Sequence, residues 1–212
     1  MLMPSPTPIY RFIHMDNLPV YLERGGMHAP NYAPEDGQVY RTIHNIDIQR
    51  IRRERPIRCG PQGTVHDYVS FYFGPRSPML LQLHTGRVEG YDQKQEPIIY
   101  AVSTVESIVK ARLQFVFSDG HGIAAFTQWF DDRKNLDKVD WGMVYADYWA
   151  DTVEDMDRQR RKQAEFLVHR FCPWDVVTHI GVLNDAAKIR VENILRRHRV
   201  GKPVYICRQW YY

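Results

Sequence analysis

Short runs of alternating apolar and polar residues recur along the chain, and that alternation predicts strands. Ile9–His14 alternates and ends on a histidine. Tyr68–Phe73 is β-branched and aromatic throughout, and Gly74-Pro75-Arg76-Ser77-Pro78 stops it. Further strands are predicted at 98–102, 114–117, 174–183 and 204–210. Between them the period lengthens to that of helices. Asp16 or Asn17 caps a short helix with Pro19 in its first turn, and Gly25-Gly26 closes it. Ile46–Arg55 is helical in character. Met79–Leu83 is a short apolar element, Thr104 caps a helix to about Ala111, and Asn184 or Asp185 caps one from Ala186 to Arg199. Many strands, few long helices and no regular strand–helix alternation make this an α+β chain.

One stretch admits two readings. Gln163-Ala164-Glu165-Phe166-Leu167-Val168 places a carboxylate at the head of an apolar triplet. As a strand, it points Gln163 and Glu165 the same way, into one cavity. As the end of a helix from Glu154 to His169, it leaves Glu165 on a solvated face. The preceding connection, Asp119–Lys162, is long enough to be functional or disordered. Its aromatics, among them Phe126, Trp129, Trp141, Tyr148 and Trp149, argue against disorder. They serve either as stacking platforms for bases or as a second small core. A helix from Met143 to Ala150 is expected within it.

Charge adds little. The 212 residues carry 28 Lys and Arg against 25 Asp and Glu, a net +3, too mild to announce a nucleic-acid binder by field alone. The basic residues do cluster at Arg50, Arg52, Arg53, Arg55 and Arg58. Such a run is either a solvated face or a set of guanidinium forks for phosphate oxygens. Cys59, Cys172 and Cys207 are too scattered for a metal or redox motif, which suits a reduced cytoplasm. The first eight residues lack an apolar signal core, and no apolar run has membrane-spanning length. There is no glycine-rich phosphate loop, no His-Glu-x-x-His, no Cys-x-x-Cys and no nucleophile elbow. A metal-free enzyme or a binding module remains.

Three stretches together resemble a known family. Tyr10-Arg11-Phe12-Ile13-His14, Tyr68-Val69-Ser70-Phe71-Tyr72-Phe73-Gly74-Pro75-Arg76-Ser77-Pro78-Met79-Leu80 and Gln163-Ala164-Glu165-Phe166-Leu167-Val168 are similar, in order, to the opening strand, central segment and catalytic segment of the DarT toxins of DarT/DarG toxin–antitoxin pairs. The resemblance implies an ADP-ribosyltransferase fold, a split β-sheet core gripping NAD⁺, in a single domain spanning residues 1–212. It implies transfer of ADP-ribose to thymidine, or in one branch guanosine, in single-stranded DNA, a toxin that blocks replication, and a DarG-type macrodomain antitoxin that removes the mark. It assigns an NAD⁺-binding helix-loop element to residues 37–55 and a substrate-recognising loop to 119–162.

By the same resemblance Glu165 is the catalytic carboxylate. Breaking the nicotinamide–ribose bond passes through an oxocarbenium-like state, as glycoside hydrolysis does, and a carboxylate at the ribose stabilises it. An arginine assists at the base, expected at Arg53 with Arg55 second. Arginine is a poor proton acceptor, so its easier task is to orient the base or stabilise its developing negative charge. His14, Met15, Asp16, Asn31, Arg53, Tyr72, Phe73 and Gln163 are expected around NAD⁺. Arg76, His121, Tyr148 and Trp149 are expected toward DNA, with no metal. A lone histidine at a strand end such as His14 is equally at home in a structural role. Two rivals stand: a transferase of the same fold acting on RNA or protein, and a non-enzymatic nucleic-acid-binding domain using Arg50–Arg58 as its patch.

Overall fold

The computed structural model describes residues 2–212. Its centre is an eight-stranded sheet with the order β10-β9-β4-β1-β3-β7-β5-β6. The strands are β1 (Pro8–His14), β3 (Tyr68–Tyr72), β4 (Ile98–Thr104), β5 (Phe115–Ser118), β6 (Trp129–Phe130), β7 (Glu165–His169), β9 (His179–Val182) and β10 (Val204–Ile206). β2 (Gly26–His28) and β8 (Phe171–Pro173) form a separate antiparallel pair. All pairings in the large sheet are antiparallel except β9 with β10.

The sheet is weakest in its middle. β1 pairs with β4 along its whole length, from Pro8 opposite Thr104 to His14 opposite Ile98. β3 pairs with β7 from Tyr68 opposite His169 to Tyr72 opposite Glu165. Between β1 and β3 only Tyr10 and Tyr72 are in register. The sheet therefore consists of two halves hinged at one residue pair, which is the split core of an ADP-ribosyltransferase-like fold.

Alternation sorts the side chains of both halves. Ile9, Ile13, Val69, Phe71, Ile99, Phe166 and Val168 point into the main core. There they meet Leu18 and Tyr21 near α1 (Leu18–Glu23), Ile108 of α4 (Val105–Lys110), and Val191 and Leu195 of α7 (Asp185–Arg197). The opposite face carries two smaller clusters. Tyr10, Phe12, Tyr100 and Val102 pack with Leu80 and Leu83 of α3 (Pro78–His84). On the far side of the split, Tyr68 and Leu167 pack with Ile57, Val65 and Val116. Between these clusters the sheet face is left open, and the polar residues of β3 and β7 point into the opening.

α2 (Ile46–Glu54) covers this opening with an unusual face. Asn45 caps it, accepting from the Ile48 N–H at 3.1 Å. Ile46 and Ile51 are exposed, while Arg52 is the helix's only buried residue. Ile48 is only half-buried, toward the cleft, so this short helix is held by its polar contacts rather than by core burial. The loop before it is tied down by Asn17, whose side chain pairs with both backbone groups of Arg41 at 2.9 and 2.7 Å. Asn17 thus makes no cap bond to α1.

Four expected elements come out shorter. Residues 163–164 lie outside β7, so the strand begins at Glu165 itself, and the preceding helix α6 (Arg158–Lys162) stops before it. The expected 143–150 helix is only α5 (Trp141–Val144). Asp140 caps it, accepting from Met143 N–H at 3.0 Å, and Lys162 takes the Val144 and Ala146 carbonyls that a longer helix would use. The 174–183 run opens with a 3-10 turn at 174–176 before β9, and the 204–210 run ends its strand at Ile206. The Trp210 ring then lies against Gly181.

The connection 119–162 is held together internally by half-buried ionic contacts. Arg160 donates to Asp157 at 2.7 and 2.8 Å and to Asp119 at 2.8 Å. Arg161 pairs with Asp140 and Asp155. Burial pushes the Lys162 ammonium down to about 8. At the end of β3, Gly74 lies against α5: a Cβ there would sit 2.5 Å from the Val144 carbonyl oxygen. Gly74→Ala is accordingly expected to cost about 1–3 kcal/mol, read as a lowered midpoint in denaturant unfolding.

Candidate active site at the split of the sheet

A cleft of about 360 Å³ lies over the split. β1 supplies Arg11 and Phe12, β3 supplies Ser70 and Tyr72, β7 supplies Glu165, and α2 supplies Ile48, Gln49 and Arg52. His44, His66, Met79, Arg87, His121 and Gln163 complete it. The lining therefore combines the aromatic Phe12, Tyr68 and Tyr72 with the cationic Arg11, Arg52 and Arg87, which suits a dinucleotide with its diphosphate.

Glu165 sits at the bottom, 2% exposed. Oε1 accepts from Arg52 Nη1 at 2.9 Å and from the Gly122 N–H at 3.0 Å, and Oε2 accepts from Arg52 Nη2 at 2.7 Å. Burial works against its ionisation, but the Arg52 guanidinium, helped by the Gly122 N–H, outweighs burial and holds the carboxyl below its ordinary value. Gly122 is needed for this approach, since a Cβ there would lie 3.1 Å from both Oε1 and the Trp129 ring. Arg52 is itself braced: its Nη2 donates to Ser70 Oγ at 2.8 Å, and Arg11 Nη1 donates to the Ser70 carbonyl at 2.7 Å. Ser70 thereby joins β1 and α2 where the sheet lacks ladder bonds.

The histidines of the cleft are held neutral. Burial lowers His121, with Arg52 adding to that and Glu165 opposing it. His44 is pushed down to about 4, by burial first and then by Arg11 and Arg52. His66, lowered for the same reasons, contacts Gln49 Oε1 at 3.1 Å. Neutral imidazoles leave the cleft's positive charge to the arginines.

The residues expected from sequence divide into groups. Glu165, Gln163, Tyr72 and His121 line the cleft. Arg53 does not: it is exposed on the outer side of α2, and its neighbour Arg52 reaches the carboxylate. With Asn45 as cap, residues 45, 48, 49 and 52 share one helix face, and Arg53 is turned about 100° away. The i,i+4 spacing of Gln49 and Arg53 fits that face as well, so it is the contact with Glu165 that separates the two arginines. Arg55 donates to the Ala124 and Ala125 carbonyls and anchors the connection instead. Phe73 is fully buried in the main core against Trp141 and Phe166, so it is not a cleft wall.

His14, Met15 and Asp16 border a separate depression with Gln93, Asn184 and Arg190. His14 Nε2 contacts Gln93 Oε1 at 2.9 Å, and its Nδ1 accepts from the Asp16 N–H at 3.1 Å. Asn31 is exposed and donates to Asp67 Oδ1 at 2.9 Å. Arg76, Tyr148 and Trp149 are not among the cleft-lining residues; Arg76 pairs with Asp147 and is joined to Trp149 through the Tyr212 hydroxyl. Ser70, Arg11 and Gln49 escaped sequence reasoning because nothing local distinguishes them from ordinary strand or helix residues. Among the described residues no group of three or more His, Cys, Asp or Glu is arranged to hold a metal.

Comparison with known proteins agrees with this geometry. A DNA ADP-ribosyl transferase of Thermus sp. (strain 2.9) is 38% identical over 211 residues, which are 99% of this chain and 98% of that protein. The solved structure of Thermus sp. 2.9 DarT in complex with ADP-ribosylated ssDNA superposes with a TM-score of 0.93, covering 100% of this chain and 99% of that one at 38% identity. The same protein in complex with NAD⁺ gives 0.88 at 37% identity, covering 100% of each chain. A DNA ADP-ribosyl transferase–DNA ADP-ribosyl glycohydrolase fusion protein of Thermosipho africanus is 24% identical over 169 residues, 79% of this chain and 40% of the fusion. The family described as ssDNA thymidine ADP-ribosyltransferase, DarT, matches residues 10–212. With a full-length match, a split sheet and a buried carboxylate at the split, this chain belongs to the DarT family of single-stranded-DNA thymidine ADP-ribosyltransferases.

Proposed function

We propose that the protein transfers ADP-ribose from NAD⁺ to thymidine in single-stranded DNA, with Glu165 and Arg52 as its catalytic residues. The observation that carries this is the buried Arg52–Glu165 pair in a cationic cleft at the split. NAD⁺ is the co-substrate, and its diphosphate suits Arg11 and Arg87. Glu165, ionised, supplies negative charge where the ribose becomes positive as nicotinamide departs. In the present state Arg52 occupies both carboxylate oxygens, so one must be released to accept a ribose hydroxyl. The freed guanidinium is then next to the acceptor base, where its charge stabilises the negative charge that develops on thymine as its ring nitrogen bonds to the ribose carbon, nicotinamide leaves and the ring N–H proton passes to solvent water. Arg52 takes the part that Arg53 has in the sequence reading. Tyr72 and Gln163 border the nicotinamide side, and His121, neutral, faces the base as a hydrogen-bonding group.

On this reading residues 1–212 work as one ADP-ribosyltransferase unit. The segment 37–55 is its NAD⁺ element and 119–162 its DNA-reading loop, with Arg76, Tyr148 and Trp149 on the DNA side. The protein acts as a bacterial toxin that blocks replication, and its counterpart is a DarG-type macrodomain antitoxin that removes the mark. Supporting that partnership, the Thermosipho relative carries a DNA ADP-ribosyl glycohydrolase in the same chain. We infer the cytoplasm as the site of action: NAD⁺ and DNA meet there, and all three cysteines are free. No helix among the described residues is long and apolar enough to cross a membrane.

The test offers NAD⁺ and one thymidine-containing sequence in several forms: single-stranded DNA, duplex, uracil-containing RNA, and single strands with thymidine replaced by each other base. The reactive edge of thymine is hidden in a duplex, so a base-modifying enzyme needs it unpaired. The expected mass gain appears on the single strand containing thymidine alone. Equal labelling of duplex or RNA ends the reading, and labelling that follows guanosine reassigns the acceptor.

A further inference from the structure

The hydroxyl of Tyr212 joins two segments that are far apart in the chain. It donates to the Arg76 carbonyl at 2.7 Å and accepts from Trp149 Nε1 at 3.0 Å. Its ring lies beneath the Arg76 guanidinium, 4.8 Å from the carbon of the fork. Tyr212 is itself clamped. The side-chain amide of Gln95, 3% exposed, donates to the Tyr212 carbonyl and accepts from its N–H at 3.0 Å. Two hydrogen bonds from one buried side-chain amide fix a backbone as a neighbouring strand would.

What Tyr212 joins is the turn that leads into the cleft-lining Pro78 and Met79 to the connection 119–162. Arg76 has φ of 53°, a left-handed conformation that a non-glycine residue keeps only where its surroundings hold it. The Tyr212 hydroxyl on the Arg76 carbonyl, and the ring under its guanidinium, are what hold it here. Two residues further on, Pro78 and Met79 line the cleft. On the other side, Trp149 belongs to the connection 119–162. Next to it, Tyr148 is 67% exposed, with the Arg158 guanidinium 5.8 Å from its ring centre. The Arg76–Asp147 pair, at 2.8 Å, rests on an Asp147 side chain that is 88% exposed, so it is a weak tie that a phosphate can replace. An exposed aromatic between two arginines is the pattern that takes a single strand, by stacking on its bases and pairing with its backbone.

We propose that Tyr212 is a positioning residue for single-stranded DNA: it fixes the distance between the Arg76 turn and the Tyr148–Trp149 segment so that both engage one strand. The proposal rests on the DNA-modifying reading above. Tyr212 touches neither Glu165 nor Arg52, so its effect falls on DNA and not on NAD⁺. Removing the hydroxyl alone leaves the ring beneath Arg76 and the Gln95 clamp in place.

The experiment compares the wild type, Tyr212→Phe, Trp149→Phe and the double variant. Binding of a fluorescein-labelled oligothymidylate is measured by anisotropy, and transfer by steady-state kinetics in DNA and in NAD⁺. Tyr212→Phe is expected to weaken oligonucleotide binding and raise the KM for DNA about three- to tenfold, the scale of a lost neutral hydrogen bond. The KM for NAD⁺ is expected to stay unchanged. Trp149→Phe, which breaks only the second of the two hydroxyl bonds, is expected to shift both in the same direction by less, and the double variant to be no worse than Tyr212→Phe, which already lacks the Trp149 bond. Unchanged DNA binding in Tyr212→Phe overturns the proposal, as does an equal loss toward NAD⁺, which marks a merely structural role. A wild type that binds oligonucleotide but labels no base overturns the function reading alone, and the anisotropy comparison still decides Tyr212. A wild type that does not bind the oligonucleotide overturns both.

Discussion

Glu165→Gln is expected to lower transfer by about 100-fold to 1,000-fold or more, the scale of removing a preorganised charge from a transition state. Binding of oligonucleotide is expected to stay within about twofold, since the change is isosteric and lies deep in the cleft. The reason lies in the difference between the two states. A carboxylate contributes most when the ribose carries positive charge, and an amide of the same shape offers only a dipole. Glutamine is the informative substitution. Its amide oxygen can still accept from the Gly122 N–H, now 3.0 Å from Glu165 Oε1. Glu165→Ala leaves a buried Arg52 with Ser70 Oγ as its remaining partner and its charge uncompensated, at a cost of about 3–5 kcal/mol, so a loss of activity there is mixed with a loss of fold. Kinetics of the glutamine variant beside its thermal melt separate the two effects, and transfer within about tenfold of wild type would remove Glu165 from the chemistry.

The second large effect distinguishes adjacent arginines. Arg52→Ala is expected to reduce transfer by about 100-fold or more, whereas Arg53→Ala stays within about threefold. Arg52 makes three hydrogen bonds inside the cleft, two of them to Glu165, while Arg53 faces solvent. The two effects have different pH signatures. Burial raises the Glu165 pKa and Arg52 lowers it below the ordinary carboxylate value. Without Arg52 the burial contribution stands alone, so the acid limb of kcat/KM is expected to move toward neutral pH. Arg52→Lys restores a charge but not the fork, and is expected to recover the pH profile better than the rate. The linked stability has the sign of a depressed carboxylate. It is present above the unfolded-state pKa of Glu165 and is lost as pH falls through the lower folded value. Equal losses at Arg52 and Arg53, both relieved by salt, would instead describe a phosphate-binding patch.

The local code of this chain is legible wherever one face of an element is buried. Tyr68–Tyr72 is readable because Val69 and Phe71 go to the main core while Tyr68, Ser70 and Tyr72 go to the other side, and period two is strict. Asn184 announces α7 because a cap acts within its own turn: it accepts from the Ala187 N–H at 2.9 Å. Phe73 was misjudged for a related reason. It continues the core-facing set of β3 rather than the cleft-facing one, and its place depends on the strand's phase, not on its aromatic character. The expected 143–150 helix failed because Lys162, distant in sequence, competes for the carbonyls that helix required.

By itself the sequence determined the α+β class, the main strands and helices, the carboxylate at the head of β7, and the three stretches that carry the family. These are local patterns, or patterns matched segment by segment, and they need no knowledge of what lies opposite. Only the tertiary structure decided that the sheet opens between β1 and β3, where a single register pair remains. It also decided that Arg52 and not Arg53 meets Glu165, and that Ser70 braces Arg52 from across the cleft. Those facts depend on the rotational phase of a short helix that buries no apolar residue, with Ile46 and Ile51 exposed. Polar contacts 113 residues apart in the chain hold that phase, and no local pattern encodes them.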